Sequence, residues 1–101
     1  MGAHRERFRA ALDGGRKIGH GSLERIALAI APLPPCRVHV HRIVVNDPDP
    51  FLVATFDTTA GRITVHNFDK TVPDNAWPTW VTGLRRLLSV TFPDFQEDTT
   101  Q

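Results

Sequence analysis

The chain has little of what covalent and prosthetic sites are built from. Its 101 residues include one cysteine, one methionine and no tyrosine. A single cysteine excludes an internal disulfide and a cysteine-rich zinc site. Cys36 reads as a small buried apolar residue in a reduced, intracellular setting. Long apolar runs are missing too. The longest, "IALAIAPL", is far too short to cross a bilayer. The N-terminus carries arginines and Glu6 but no apolar core with a cleavage site, so no secretory leader is expected. Together these absences predict a cytoplasmic protein without membrane contact. No internal repeat or low-complexity tract is present.

What is there is the composition of a folded domain. Apolar residues make up 41% and charged residues 23%, near globular averages. The length is that of one domain, residues 1–101. The net charge of +1 argues neither for nor against nucleic acid. Its distribution says more: residues 1–45 hold eight Arg/Lys and three Asp/Glu, and residues 46–101 hold four and eight. Such asymmetry steers a partner, unless folding brings the halves together and cancels it.

"HRERFRAALDGG" predicts a short, loosely attached helix within residues 1–13. Phe8, Ala11 and Leu12 stand at i, i+3 and i+4, and Gly14-Gly15 supplies a left-handed stop. "GSLERIALAIAPLPP" predicts a second helix, capped by Ser22 and ended by Pro32. It is apolar almost all round, so it should be the most buried helix. "RVHVHRIVV", "FLVATFD" and "RITVHNF" predict strands, and their short links favour antiparallel pairing. Val38 and Val40 point inward in the first strand while Ile43 and Val45 have the opposite parity. A β-bulge near His41-Arg42 would reconcile them. "NAWPTWVTGLRRLLSV" predicts a helix over 75–90, with Trp77, Trp80, Val81, Leu84, Leu87 and Leu88 on one side and Pro78 in its first turn. Residues 96–101 predict an acidic, disordered tail. The expected fold is α+β: a three-stranded antiparallel meander with helices on one face, in the order α-α-β-β-β-α.

That arrangement leaves one sheet face open. By parity it carries Arg37, His39, His41, Arg62, His66 and Asp57. A metal site needs three or four converging ligands, and only His39, His41 and Asp57 come near this, so neither metal nor cofactor is expected. A nucleic-acid surface needs positive charge and stacking aromatics. The face has arginines and imidazoles, but no tyrosine or phenylalanine is assigned to its parity. The expected partner-binding residues are therefore Arg37, His39, His41, Arg62 and His66.

"GGRKIGHGS" is basic and opens a helix, so Arg16, Lys17 and Ser22 are candidates for holding an anion; a plain interhelical linker is the other reading. It is not a Walker A loop, because lysine does not directly precede serine and no strand precedes the glycines. For acid–base chemistry only His66, His39, Asp57 and Asp69 qualify. No nucleophile–base order accompanies them, and no catalytic residue is assigned. Asp47, Asp49 and Asp57 are too loosely spaced for a calcium loop, and two intervening prolines oppose one. Phe92 and Phe95 either fold back onto the core or anchor a partner.

Residues 22–90, and "GRITVHNF" followed by a loop and a helix, resemble the double-stranded-RNA-binding-domain topology that HicA-type toxin ribonucleases share. The resemblance implies RNA binding or RNA cleavage. The toxin pattern has its catalytic histidine near the start of the second strand, where this chain has "DPDPF". The RNA-binding pattern opens its last helix with lysines, where this chain has "DNAWPTW". Topology without those residues does not carry the function across.

The expectation is a small non-enzymatic binding module acting on another protein: a regulator, adaptor or inhibitor of the kind phages and mobile elements encode. The alternative is an RNA- or DNA-binding protein, or a toxin-like ribonuclease. A homodimer through an edge strand is a further expectation.

Overall fold

In a computed structural model, which describes residues 7–44, 46 and 51–96, the first segment is a strand and not a helix. Phe8, Ala11 and Leu12 fit a helical stripe, but Phe8, Ala10 and Leu12 also alternate. Strand β1 (Arg7–Leu12) uses that shorter period and buries Phe8 and Ala10. Gly14 and Gly15, at φ 101° and 92°, turn a hairpin in place of capping a helix. Strand β2 (Lys17–Gly21) returns antiparallel to β1. A strand therefore does precede the glycines.

The hairpin corrects the expected topology. The chain order continues α1 (Leu23–Ile30), β3 (Arg37–Ile43), β4 (Leu52–Asp57), β5 (Arg62–Asn67), β6 (Lys70–Thr71) and α2 (Thr79–Leu88). The result is a small α+β domain with two helices and a six-stranded sheet in the order β2-β1-β3-β4-β5-β6. It replaces the three-stranded sheet and the order α-α-β-β-β-α. Every neighbouring pair is antiparallel. Helix α1 carries the chain from β2 over β1 to β3, after which β3, β4, β5 and β6 stand side by side in chain order.

The expected bulge also moves. The β1–β3 ladder runs without a break from Arg7–Ile43 to Leu12–Val38, so none lies at His41-Arg42. Ile43 stays on the outer parity opposite Arg7, and Arg42 takes the inner parity opposite Phe8, where a long aliphatic stem can lie against apolar surface. Val45 lies outside the described residues. The irregularity is in β2, where Ile18 and Gly19 together face Ala10. Gly19 has φ 69°, and a Cβ there would stand 2.9 Å from the Ala29 Cβ of α1. Glycine at this position satisfies both the bulge and the close approach of the helix.

Both helices cover the face formed by Phe8, Ala10, Val38, Val40, Ala54, Phe56 and Val65, all buried. Helix α1 contributes Ile26, Ala27 and Ile30 but leaves Leu28 74% exposed. It is amphipathic, not the all-round buried helix expected. Ser22 caps it, accepting from the Arg25 amide at 3.3 Å. Helix α2 starts at Thr79 behind Pro78, later than expected. Trp77 thus falls outside it, and its Nε1 donates to the Val72 carbonyl at 3.2 Å. Trp80 is buried, its ring centroid 5.4 Å from that of Phe8.

The C-terminal segment folds back. Phe95 is buried edge-on to Phe56 at 5.9 Å. Arg85 fastens it, donating from Nε to the Phe95 carbonyl at 2.7 Å and from Nη2 to that of Gln96 at 3.2 Å. The expected tail lies, from residue 97 on, outside the described residues. Among the described residues no helix is long and apolar enough to cross a membrane.

Candidate functional site

Alternation puts the helices on one side of the sheet and leaves the other side polar. The registers order that open side into rows. One row runs His20, Arg9, His41 across β2, β1 and β3; one position beyond the β3–β4 ladder it continues as Val53, His66 and Thr71. The next holds Lys17, Ala11, His39, Thr55 and Thr64. A third holds Arg37, Asp57 and Arg62. Arg7 lies beyond the first row, opposite Ile43. Neighbouring strands stand about 4.8 Å apart, so the rows form one continuous surface. All four described histidines are on it: His20, His39, His41 and His66.

The face is unevenly charged. Arg37 and Arg62 flank Asp57. Asp57 accepts from the amides of Thr59 and Ala60 at 3.0 and 3.1 Å, and Arg37 also pairs with Asp13 at 3.0 Å. That end carries carboxylates beside its arginines. The β1–β2 end does not. Arg7, Arg9, Lys17, Gly19 and His20 line a shallow depression of about 280 Å³, with Ala10 at its base and no acidic residue among its walls. Among the described residues no carboxylate pairs with Arg7, Arg9 or Lys17.

The five residues expected to bind a partner, Arg37, His39, His41, Arg62 and His66, do share this face. His39 is engaged through Nδ1 with the Thr55 hydroxyl at 2.9 Å. Asp57 pairs with Arg37, four residues from His41 along β3, about 13 Å away at the rise of a strand. It is too far to join His39 and His41 at one metal. Among the described residues no group of three His, Cys, Asp or Glu side chains is placed to hold a metal ion. The anion trio is not brought together. Lys17 opens β2 on the open face, Arg16 is in the hairpin turn, and Ser22 follows the far end of β2. Asp69, named for acid–base chemistry, is in the β5–β6 turn, away from His39.

Two aromatic residues were missed. Phe51, immediately before β4, has the parity of Val53 and Thr55. Phe68, the first residue of the β5–β6 turn, stands opposite it and donates its amide to the Phe51 carbonyl at 3.5 Å. Their rings stack with centroids 4.0 Å apart, 52% and 69% exposed. Phe68 has φ 59°, where a two-residue hairpin turn ordinarily places glycine and where a bulky residue costs about 1–3 kcal/mol. The signal lay inside the predicted runs: "FLVATFD" begins with Phe51 on the parity of Val53, and "RITVHNF" ends with Phe68 on the parity of His66.

The chain matches no known family model, no curated protein and no solved structure.

Proposed function

We propose that this protein is a non-enzymatic binding module that holds nucleic acid on the open face of its sheet. One observation carries the reading: the basic N-terminal hairpin joins the histidine- and arginine-bearing strands in one surface. A three-stranded sheet would offer only Arg37 and Arg62 as fixed cations on this face. With β1 and β2 in the sheet, Arg7, Arg9 and Lys17 share the open face with Arg37 and Arg62, and none of the three has a carboxylate partner among the described residues. Phosphates reward such a surface because neutralising them releases condensed counterions. A cytoplasmic setting, where nucleic acid is at hand, belongs to the same reading.

The test is binding of fluorescein-labelled RNA and DNA oligonucleotides followed by anisotropy across a salt series. We expect binding at about 0.05 M salt that weakens by orders of magnitude toward 0.2 M. Replacing Arg9 and Lys17 together by glutamate should abolish it without unfolding the protein. No binding at low salt, together with capture from a lysate of a protein partner that nuclease does not release, overturns the reading in favour of a protein-binding regulator or inhibitor.

A further inference from the structure

The Phe51–Phe68 pair lies at the end of the open face, one position past the Val53–His66 pair on the same parity. Both rings are more than half exposed. Burial does not explain the pair, and neither does turn chemistry, because Phe68 occupies a left-handed position better suited to glycine or asparagine. A bulky side chain kept at such a position, with its ring toward solvent, marks a binding surface. Asn67, Asp69 and Lys70 sit beside it around a shallow hollow, and the row of His66, His41 and Arg9 runs from it toward the cationic hairpin.

We propose that the outer face of this stacked pair takes an unpaired base, so that the ligand is a single strand. The inference rests on the nucleic-acid reading and narrows it. Aromatic stacking is available only to a base that has left its own helix, whereas a cationic surface alone accepts duplex and single strand alike. The chemistry divides accordingly: phosphates lie along the cations of β1 and β2, and a base ends on the rings. The arrangement is sequence-tolerant, since every base offers a π-face.

The experiment compares the intact chain with Phe51→Ala, Phe68→Ala and Phe68→Asn, using labelled oligo(U), oligo(dT) and a duplex of equal length. We expect the single strands to bind more tightly than the duplex. Each phenylalanine replacement should weaken single-strand binding about 5- to 150-fold, the span of one base–aromatic stack, and leave duplex binding unchanged. Phe68→Asn is the folding control, because asparagine tolerates the left-handed position. It should melt no lower than the wild type while losing single-strand affinity as Phe68→Ala does.

Equal affinity for duplex and single strand, unaffected by the three variants but abolished by the Arg9/Lys17 double reversal, overturns this inference and leaves the nucleic-acid reading standing. A lower melting temperature for Phe68→Asn would assign the rings to the fold, and a dimer-to-monomer change in light scattering would assign them to self-association. Either result also overturns it. No binding to any of the three probes removes the nucleic-acid reading itself.

Discussion

The two faces of this sheet are spelled by the same residues in alternation, and they obey different rules. On the covered face the side chains are buried to the last atom at Val38, Val40, Ala54, Phe56 and Val65, and what matters there is volume. On the open face the side chains stand in rows whose neighbours are about 4.8 Å apart from strand to strand, and what matters is charge and its distance from the nearest carboxylate. A substitution on one face should therefore be nearly silent in the assay that reports on the other. That separation is the sharpest consequence of the architecture.

The largest break is on the covered face. Phe56→Ala removes a ring that meets Phe95 edge-on and that is fully buried. It should cost about 3–5 kcal/mol, the usual loss for a large-to-small aromatic change in a core, read by urea denaturation. The folded fraction should still bind oligonucleotide with wild-type affinity. A comparable loss of affinity per folded molecule would mean that the two faces are coupled through the strands.

Next in size is Gly19→Val. It adds a Cβ at φ 69° against Ala29, so it pays both for backbone strain and for displacing α1. Destabilisation of at least about 1 kcal/mol is expected, in thermal or chemical unfolding. Gly19 also borders the Arg7–Arg9–Lys17 depression, which makes this a position where the covered and open sides meet. Here, unlike at Phe56, some loss of binding should accompany the loss of stability.

Lys17→Ala belongs to the open face alone. Its stability effect should stay within about 0.5 kcal/mol, as for other exposed positions. Its binding effect is diagnostic: the slope of log affinity against log salt should fall by about 0.7–0.9 if Lys17 neutralises one phosphate. An unchanged slope would place the ligand elsewhere on the sheet.

How much of this was legible in the sequence follows the same division. β3, β4 and β5 carry alternation with β-branched residues, so the shared face of His39, His41, Arg62 and His66 could be read directly; only the end of β3, where Ile43 breaks the apolar alternation, suggests a bulge that the ladder does not contain. β1 could not be read this way. Phe8, Ala11 and Leu12 satisfy the helical period as well as Phe8, Ala10 and Leu12 satisfy the strand period, and Gly14-Gly15 serves equally as a helix stop or a hairpin turn. Only pairing with β3, 26 to 36 residues away by the Leu12–Val38 and Arg7–Ile43 registers, decides between them, and such long-range pairing is invisible in a local window. The functional consequence was larger than the structural one, since that segment carries Arg7, Arg9, Lys17 and His20. The start of α2 was misplaced for a local reason: Pro78 fits the first turn of a helix, but here it precedes the first turn, and Trp77 turns away to bond with Val72.

The smallest expected effect has the opposite sign to the others and tests the uneven charge of the open face. Asp13 and Arg37 form an ion pair at 3.0 Å with both side chains 58% exposed. An exposed pair of this kind contributes about 0.2–1 kcal/mol at most, so Asp13→Asn should barely move the melting temperature. Asp13 also donates its backbone amide to the Arg37 carbonyl at 3.0 Å, a bond that asparagine keeps, so the hairpin remains docked beside β3. What changes is that the Arg37 guanidinium is released to the surface. Nucleic-acid affinity at low salt should rise by roughly 1.5- to 5-fold, the equivalent of the competing pair, and the salt slope should steepen. Arg37→Ala should show no such gain, and combining it with Asp13→Asn should cancel the increase. An Asp13→Asn protein that binds no better than wild type would show that the ligand does not extend past Ala11 and His39 to the third row, and would confine the contact surface to the β1–β2 end and the row of His41 and His66.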